Sequence, residues 1–282
     1  MILNLVLFPF FTFIFFSIGT FFSKLTDIVN TKYCKVNFKK NSEYYFFERL
    51  LYAIFFISLY CVVFNIFLPL NNIFFYISLA LLLFVSFINL SKADLKIFKE
   101  NLIMILLISL IPGIMVPGYD AGLYHIPYQT WIKNYELLIG FSNLNLRFSL
   151  GSIYNYFSAI LWFDNIFLFV SYFSTIFYLI LFLFLKEFLG ENYKKLTFGF
   201  LILLTIPLWD RYIYPSFSLV DAPFGIIAII TLTYFFFNIN KVINGKCISR
   251  EIILLTILFS LLISIKSSGI LFLPLFLFFY FF

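Results

Sequence analysis

Long apolar runs alternate with short polar loops along the whole chain. A helix needs about 20 apolar residues to cross the hydrocarbon layer of a membrane, and short alternating segments typical of a transmembrane β-barrel are absent. The pattern therefore predicts an all-α polytopic integral membrane protein with about eight to nine transmembrane helices. The predicted spans cover about residues 2–22, 50–68, 73–90, 102–116, 166–185, 196–208, 223–237 and 252–265, and a shorter run covers 270–282.

The spans predict a single transmembrane domain over residues 1–282. Four N-terminal spans occupy 1–116, an outer loop with interfacial helices occupies 117–162, and the remaining spans occupy 163–282. The last run is short for a span and has no polar cap after it. We therefore expect a chain that is truncated at its C-terminus and ends before its fold does.

The charged residues predict the orientation. If alternate loops face the same side, 15 of the 19 Lys and Arg residues fall on that side, and basic loops stay in the cytoplasm. The N-terminus and the segment 118–161 then face outside, and the expected location is the bacterial inner membrane. The loop 23–49 is the most basic, and we interpret the basic loops as determinants of topology, because no phosphate-binding loop or metal cluster accompanies them.

Composition agrees with a membrane protein surrounded by lipid. The chain is 63% hydrophobic and 11% charged, whereas soluble domains carry about 25% charged residues. The net charge of +6 follows from the basic inner loops, so no nucleic-acid partner is expected. Two of the three cysteines, Cys34 and Cys247, are predicted on the cytoplasmic side and Cys61 within the membrane, so no disulfide is expected.

The outer segment 118–161 is the densest aromatic and polar stretch of the chain. A helix is predicted from Pro127 to Gly140, with Tyr128, Trp131 and Tyr135 on one face at the membrane interface. A second short helix is predicted over 152–162. Asp120 is a candidate general base or metal-binding carboxylate, and His125 a candidate acid–base group. The alternative is that Asp120 caps the short helix and His125 is satisfied at the interface.

Further candidate residues lie in the other outer loops. Asp221 precedes a span, and Lys266 is the only lysine within a long apolar stretch, where ionisable groups are costly and often functional. Arg147, Arg211 and Lys266 are candidates for binding a phosphate group. The alternatives are that Asp221 is a helix cap and that Lys266 extends to the interface.

The run Gly118-Tyr-Asp-Ala-Gly-Leu-Tyr-His-Ile-Pro-Tyr-Gln-Thr-Trp131 resembles the first large outer loop of the GT-C class of membrane glycosyltransferases, which includes protein mannosyltransferases and aminoarabinose transferases. It also resembles bacterial polytopic membrane proteins without an assigned reaction. Asp120 and Tyr124 match the acidic residue and the tyrosine of that loop, and Lys266-Ser-Ser-Gly269 resembles a lysine region of the class. Ala121 stands where the class often has a second acidic residue.

The resemblance implies a GT-C-like fold and transfer of a sugar from a polyprenyl-phosphate carrier to a cell-surface glycan, lipid or protein. Catalysis is assigned to Asp120, with support from His125 and Asp221. Substrate binding is assigned to Tyr124, Trp131, Arg147, Arg211 and Lys266. No cofactor is predicted except a divalent cation that Asp120 helps to bind. An O-antigen polymerase or ligase, a transporter of lipid-linked saccharide and a non-catalytic membrane protein remain alternatives.

Overall fold

The chain folds into packed helices in this computed structural model. The structure describes residues 2–34, 44–117, 120–137, 152–163, 166–189, 216–217, 220–243, 249–275 and 277. The predicted span at 196–208 and the candidate residues Arg147 and Arg211 lie outside the described residues. The α-helices are α1 (Ile2–Cys34), α2 (Phe46–Phe67), α3 (Ile73–Ile88), α4 (Lys92–Glu100), α5 (Leu102–Ile108), α6 (Ile126–Asn134), α7 (Ile153–Ala159), α8 (Leu168–Phe184), α9 (Asp221–Ile243) and α10 (Ser249–Ile265).

Shorter elements connect these helices. Turns of 3₁₀ helix cover Ile111–Gly113 and Ser267–Phe272, and π-helical turns cover Ala121–His125 and Leu185–Leu189. Two short strands, β1 (Val116–Pro117) and β2 (Ser216–Phe217), pair in parallel. The 3₁₀ turn at Ile111–Gly113 contains Pro112, and the α-helical part of this segment, α5, ends ahead of it at Ile108.

Four of the described helical segments are long and apolar enough to cross a membrane. They are Ile2–Val29, Phe46–Phe67, Leu168–Phe188 and Asp221–Asn238. The pair α3 and α4, bent by 96°, raises the number to five if it counts as one span. The protein is therefore a helical membrane protein with four to five such spans among the described residues, whereas the sequence pattern predicts eight to nine over the whole chain. The difference arises because α5 and α10 are shorter than these segments and part of the chain is not described.

The first predicted loop is shorter than the sequence pattern indicated. Helix α1 continues to Cys34, and α2 already begins at Phe46, so Arg49 lies in a helix rather than in the loop 23–49. The two helices touch backbone to backbone, since a Cβ atom on Gly19 would overlap the carbonyl group of Arg49. This close approach buries the side of α2 that carries Glu48 and Arg49.

Aromatic rings fill the core between α1, α7 and α8. The ring centroids of Phe15 and Phe157 lie 5.5 Å apart, and those of Phe157 and Phe173 lie 4.7 Å apart, both with edge-to-face geometry. All seven residues of α7 are buried. The short helix predicted over 152–162 is thus confirmed as a helix, but it lies in the core rather than at the surface.

Ionic contacts join several helices at one end of the bundle, which we call the Arg49 end. Arg49 of α2 pairs with Asp94 of α4 at 2.6 Å, and Lys24 of α1 pairs with the same carboxylate at 2.6 Å. Glu48 of α2 pairs with Arg250 of α10. These contacts therefore hold four helices together at the end where the predicted basic loops lie.

The opposite end of α2 carries a second polar layer, which we call the α6 end. The Asn65 side chain donates hydrogen bonds of 2.9 Å to the backbone carbonyl groups of Ile132 and Tyr135. Sixteen residues separate Arg49 from Asn65, which corresponds to about 24 Å of helix. The two polar layers are thus separated by an apolar slab close to the thickness of the hydrocarbon core, about 30 Å.

Candidate functional site

The parallel pairing of β1 and β2 brings two distant parts of the chain together. Val116 is opposite Ser216, and Pro117 is opposite Phe217. Each strand is followed within a few residues by an acidic residue, Asp120 after β1 and Asp221 after β2. Because paired parallel strands leave the sheet in the same direction, both carboxylates arrive at the same end of the bundle.

Asp120 and Asp221 line one cavity of about 250 Å³, which we call the carboxylate cavity. The other predicted candidates in its wall are Tyr124, His125 and Lys266. The structure therefore brings together five of the eight residues that were selected from the sequence. They come from three separate parts of the chain, around residues 120, 221 and 266.

Two contacts organise the carboxylates. The Tyr124 hydroxyl donates to Oδ2 of Asp120 at 3.3 Å. Asp221, the first residue of α9, pairs with the ammonium group of Lys266, and their side chains are 33% and 35% exposed. Lys266 is therefore held by an opposite charge rather than simply extended to the interface.

The turn after α10 places Lys266 at the cavity. The chain enters a 3₁₀ helix at Ser267, and the Gly269 N–H donates to the Lys266 carbonyl at 2.8 Å. A Cβ atom on Gly269 would overlap the Leu262 carbonyl group, so only glycine allows the turn to fold back so closely on α10. The Lys266-Ser-Ser-Gly269 run thus has a structural reason for its glycine.

His125 is buried between the cavity and α7. It ends the π-helical turn Ala121–His125 and is 4% exposed. Burial lowers the pKa of His125 to about 4, although the carboxylates of Asp221 and Asp120 oppose this shift. The imidazole ring is therefore neutral at neutral pH. Its Nδ1 lies 3.3 Å from the side-chain nitrogen of Asn155.

The polar residues behind His125 were missed by sequence reasoning. Asn155 of α7 accepts a hydrogen bond from Gln129 of α6 at 3.2 Å, and Gln129 accepts one from the Trp162 indole at 3.1 Å. Lys133 donates to the Trp162 carbonyl at 2.7 Å. Single amide residues in apolar helices were the one available signal, and only the packing of α6 on α7 shows that they meet.

The structure also changes the interpretation of Asp120, of Trp131 and of the length of α6. Asp120 precedes the π-helical turn but makes no side-chain capping hydrogen bond, so the capping alternative does not describe it. Trp131 does not line the carboxylate cavity. It lies about one and two-thirds helical turns beyond His125, so it is on a different face of the helix. It lines a smaller cavity with Asn65 and Tyr128 instead. Helix α6 also ends at Asn134, before the end predicted at Gly140.

The buried charged residues of the Arg49 end were also missed by sequence reasoning. A cavity of about 210 Å³ at this end is lined by Lys24, Asp27, Arg49 and Asp94, among others. Arg49 and Asp94 each keep only 5% of their side chains exposed. The charges balance within this group, so its contacts serve to hold α1, α2 and α4 together. The basic residues at this end are therefore partly structural, as well as being candidates for setting topology.

The described residues around Asp120 do not provide a set of ligands for the predicted divalent cation. Within the described part of the chain, no group of three or more His, Cys, Asp or Glu side chains is placed to hold a metal ion. The carboxylates of the cavity are instead engaged by Tyr124 and Lys266.

Comparison with known proteins places the chain in one family. Residues 1–282 match the sequence model of the family described as "Domain of unknown function (DUF8201)". The match covers the whole chain, so the protein belongs to this family. Neither the curated proteins nor the solved structures contain a match.

Proposed function

We propose that this member of the DUF8201 family is a membrane glycosyltransferase of the GT-C type. It transfers a sugar from a polyprenyl-phosphate carrier to a cell-surface glycan, lipid or protein. The observation that carries the proposal is the convergence of Asp120, Tyr124, His125, Asp221 and Lys266 on one cavity. These residues were selected from the sequence, for their acid–base or phosphate chemistry or for the resemblance to the GT-C class, and they come from three separate parts of the chain.

Asp120 is the proposed catalytic base. Among the described residues its one side-chain hydrogen bond comes from Tyr124, which leaves carboxylate lone pairs for an acceptor hydroxyl. In the transfer, Asp120 takes the hydroxyl proton while the acceptor oxygen forms a bond to the anomeric carbon of the sugar. The bond from that carbon to the phosphate oxygen breaks, and the carrier phosphate leaves with the electron pair. A base acts in this way only within hydrogen-bond reach of the proton it removes.

Lys266 is the proposed electrostatic partner of the leaving phosphate. Charge placed in advance where negative charge develops is a large source of rate enhancement. The described wall of the cavity contains two carboxylates and one ammonium group, so a phosphate needs additional positive charge. Arg147 and Arg211 are the proposed source, on the basis of their positions in the outer segments of the sequence.

The carboxylate cavity is proposed to face the outside of the bacterial inner membrane, with the N-terminus on the same side. The support is the distribution of basic residues, because 15 of 19 fall in the loops predicted inside. Lys24, Arg49 and Arg250 belong to the Arg49 end, opposite the α6 end. An outward site suits a donor that has already been moved across the membrane on its lipid carrier. The remaining spans of an eight-to-nine-span GT-C fold belong to the same proposal.

The direct test is Asp120→Asn, expressed in the source organism after deletion of the chromosomal copy, with surface glycans as the readout. General-base removal typically lowers a rate by about 10²–10⁴-fold, so we expect the glycan product to be lost at normal protein levels. Glu136→Gln is the matched control, because Glu136 is an exposed carboxylate outside the carboxylate cavity. Unchanged glycans in the Asp120→Asn strain would remove Asp120 from the mechanism.

A further inference from the structure

A chain of three polar side chains, those of Trp162, Gln129 and Asn155, leads from the edge of α7 to the ring of His125. The Trp162 indole N–H donates to Oε1 of Gln129 at 3.1 Å, and Nε2 of Gln129 donates to Oδ1 of Asn155 at 3.2 Å. Nδ2 of Asn155 then lies 3.3 Å from Nδ1 of His125. Gln129 is 0% exposed and Asn155 is 2% exposed, so water does not substitute for these contacts.

The direction of every hydrogen bond in this chain follows from its first member. An indole N–H can only donate, so Gln129 must present its carbonyl oxygen to Trp162. The NH₂ group of Gln129 then faces Asn155, which must accept through its own carbonyl oxygen. The NH₂ group of Asn155 is thereby directed to His125, where Nδ1 must accept. Reversing any one amide would place two donors or two acceptors face to face in a buried site, which is unfavourable.

The other edge of the His125 ring is open to the cavity. Among the described residues His125 makes one hydrogen bond, through Nδ1. The Nε2 atom is not one of the fully enclosed side-chain atoms that lack a hydrogen-bond partner in the described part of the chain. Because it has no partner among those residues, it is accessible, and the ring lines the carboxylate cavity. Since Nδ1 is turned towards Asn155, Nε2 is the nitrogen that a bound molecule can reach.

We propose that Trp162, acting through Gln129 and Asn155, holds His125 in the tautomer whose proton is on Nε2, and that His125 donates this N–H to an oxygen atom of the bound substrate. Gln129, Asn155 and Trp162 are therefore positioning residues. His125 is a hydrogen-bond donor rather than a base, and the removal of a proton is left to Asp120. The assignment of the ligand as a substrate depends on the proposed function, whereas the tautomer does not.

Two further observations agree with this assignment. Burial keeps His125 neutral at neutral pH, and a neutral ring has one donor and one acceptor nitrogen. Lys133 anchors the start of the chain of hydrogen bonds, because it donates to the Trp162 carbonyl and its ammonium group lies 4.7 Å from the centre of the indole ring. The ligand class that fits the open N–H is one that presents an oxygen acceptor, such as a hydroxyl, carbonyl or phosphate oxygen.

The experiment uses the fact that His125 is the only histidine in the chain. The full chain, labelled with ¹⁵N in the imidazole ring and reconstituted in lipid nanodiscs, gives two nitrogen resonances, both from this residue. We expect a protonated Nε2 and an unprotonated Nδ1, unchanged between about pH 8 and about pH 5, because the ring stays neutral above its pKa of about 4. A proton on Nδ1 in the unmodified protein would overturn the proposal.

Three variants test the role of the relay. Trp162→Phe removes the N–H that orients Gln129, so both tautomers become visible. Asn155→Asp presents only acceptor oxygens, so the proton moves to Nδ1. Trp131→Phe is the matched control on α6 and keeps the original tautomer.

An unchanged tautomer in both Trp162→Phe and Asn155→Asp would overturn the proposed relay. The two variants protect against failure of one of them to fold, which the overall spectrum would show. The measurement needs no substrate, so it can succeed or fail independently of the glycan result for Asp120→Asn. Failure of the glycan test with a correct tautomer would remove the transferase assignment and leave the relay intact.

Discussion

Neutralising Asp94 is expected to destabilise the protein through Arg49. The two side chains form an ion pair at 2.6 Å and are each 5% exposed, whereas Lys24, which also pairs with Asp94, is 40% exposed. Removing one partner of a buried pair costs about 3–5 kcal/mol, because a buried charge is left uncompensated. An exposed pair contributes about 0–1 kcal/mol, so the Arg49 contact dominates the effect.

The variants can be chosen so that the helix cap of α4 survives. Asp94 accepts a hydrogen bond from the Ser91 backbone N–H at 2.8 Å, and Asp94→Asn keeps an oxygen for it. We expect Asp94→Asn and Arg49→Met each to lower the free energy of unfolding by about 3–5 kcal/mol. The double variant removes both charges together and is expected to lose less than either single variant.

The assay is reversible unfolding in mixed detergent micelles, followed by circular dichroism, for the four members of this double-mutant cycle. The expected coupling energy exceeds about 3 kcal/mol, since it reports the unpaired charge that each single variant leaves behind. Lys24→Met serves as the control and is expected to lose no more than about 1 kcal/mol. Additive losses in the double variant would refute the reasoning, because they would show that Arg49 and Asp94 do not depend on each other.

Three further predictions concern the carboxylate cavity and its support. Gly269→Ala is expected to lower the free energy of unfolding by about 1–3 kcal/mol, because the new Cβ atom overlaps the backbone of α10. Gly122→Ala is the matched control, since a Cβ atom there meets nothing within 4 Å. Equal losses for the two variants in a thermal unfolding assay would contradict this prediction. For His125, whose pKa falls from 6.5 to about 4 on folding, the unfolded chain takes up the proton first as the pH is lowered. Stability is therefore lost by about 3 kcal/mol between about pH 6.5 and about pH 4, and His125→Asn is expected to lose this part of the pH dependence of unfolding; an identical pH profile would contradict the assignment. Lys133→Met removes a charged donor from the Trp162 carbonyl and is expected to cost about 1.5–3 kcal/mol in the same unfolding assay; no loss would show that this hydrogen bond does not contribute.

The sequence predicts the helical membrane class well because apolar run length is a local property. The spans at 50–68 and 166–185 correspond closely to α2 and α8. Span number is less predictable, since the bend of 96° between α3 and α4 depends on packing. The ion pairs of Asp94 hold α4 against α1 and α2, and no local pattern reports such long-range partners.

The candidate site was predictable in its titratable groups and not in its supporting residues. Asp120, Asp221 and Lys266 are conspicuous because charge is rare beside apolar runs. Gln129 and Asn155 carry no charge and fit into ordinary helices, so their role depends on the contact between α6 and α7. The approach of Asp120 to Asp221 follows from the pairing of β1 with β2, and strands of two residues are too short to be recognised from sequence.

If the reacting groups share one cavity on the outer face of the membrane, a membrane-impermeant maleimide reaches a thiol in that cavity from outside the cell. Ser267→Cys places a thiol in the cavity wall, and Lys96→Cys places one on an exposed residue of α4, both in a chain whose native cysteines are replaced. On intact spheroplasts we predict labelling of Ser267→Cys and none of Lys96→Cys until the membrane is permeabilised. Labelling of Lys96→Cys alone on intact spheroplasts would place the carboxylate cavity on the cytoplasmic side and contradict an outward-facing site.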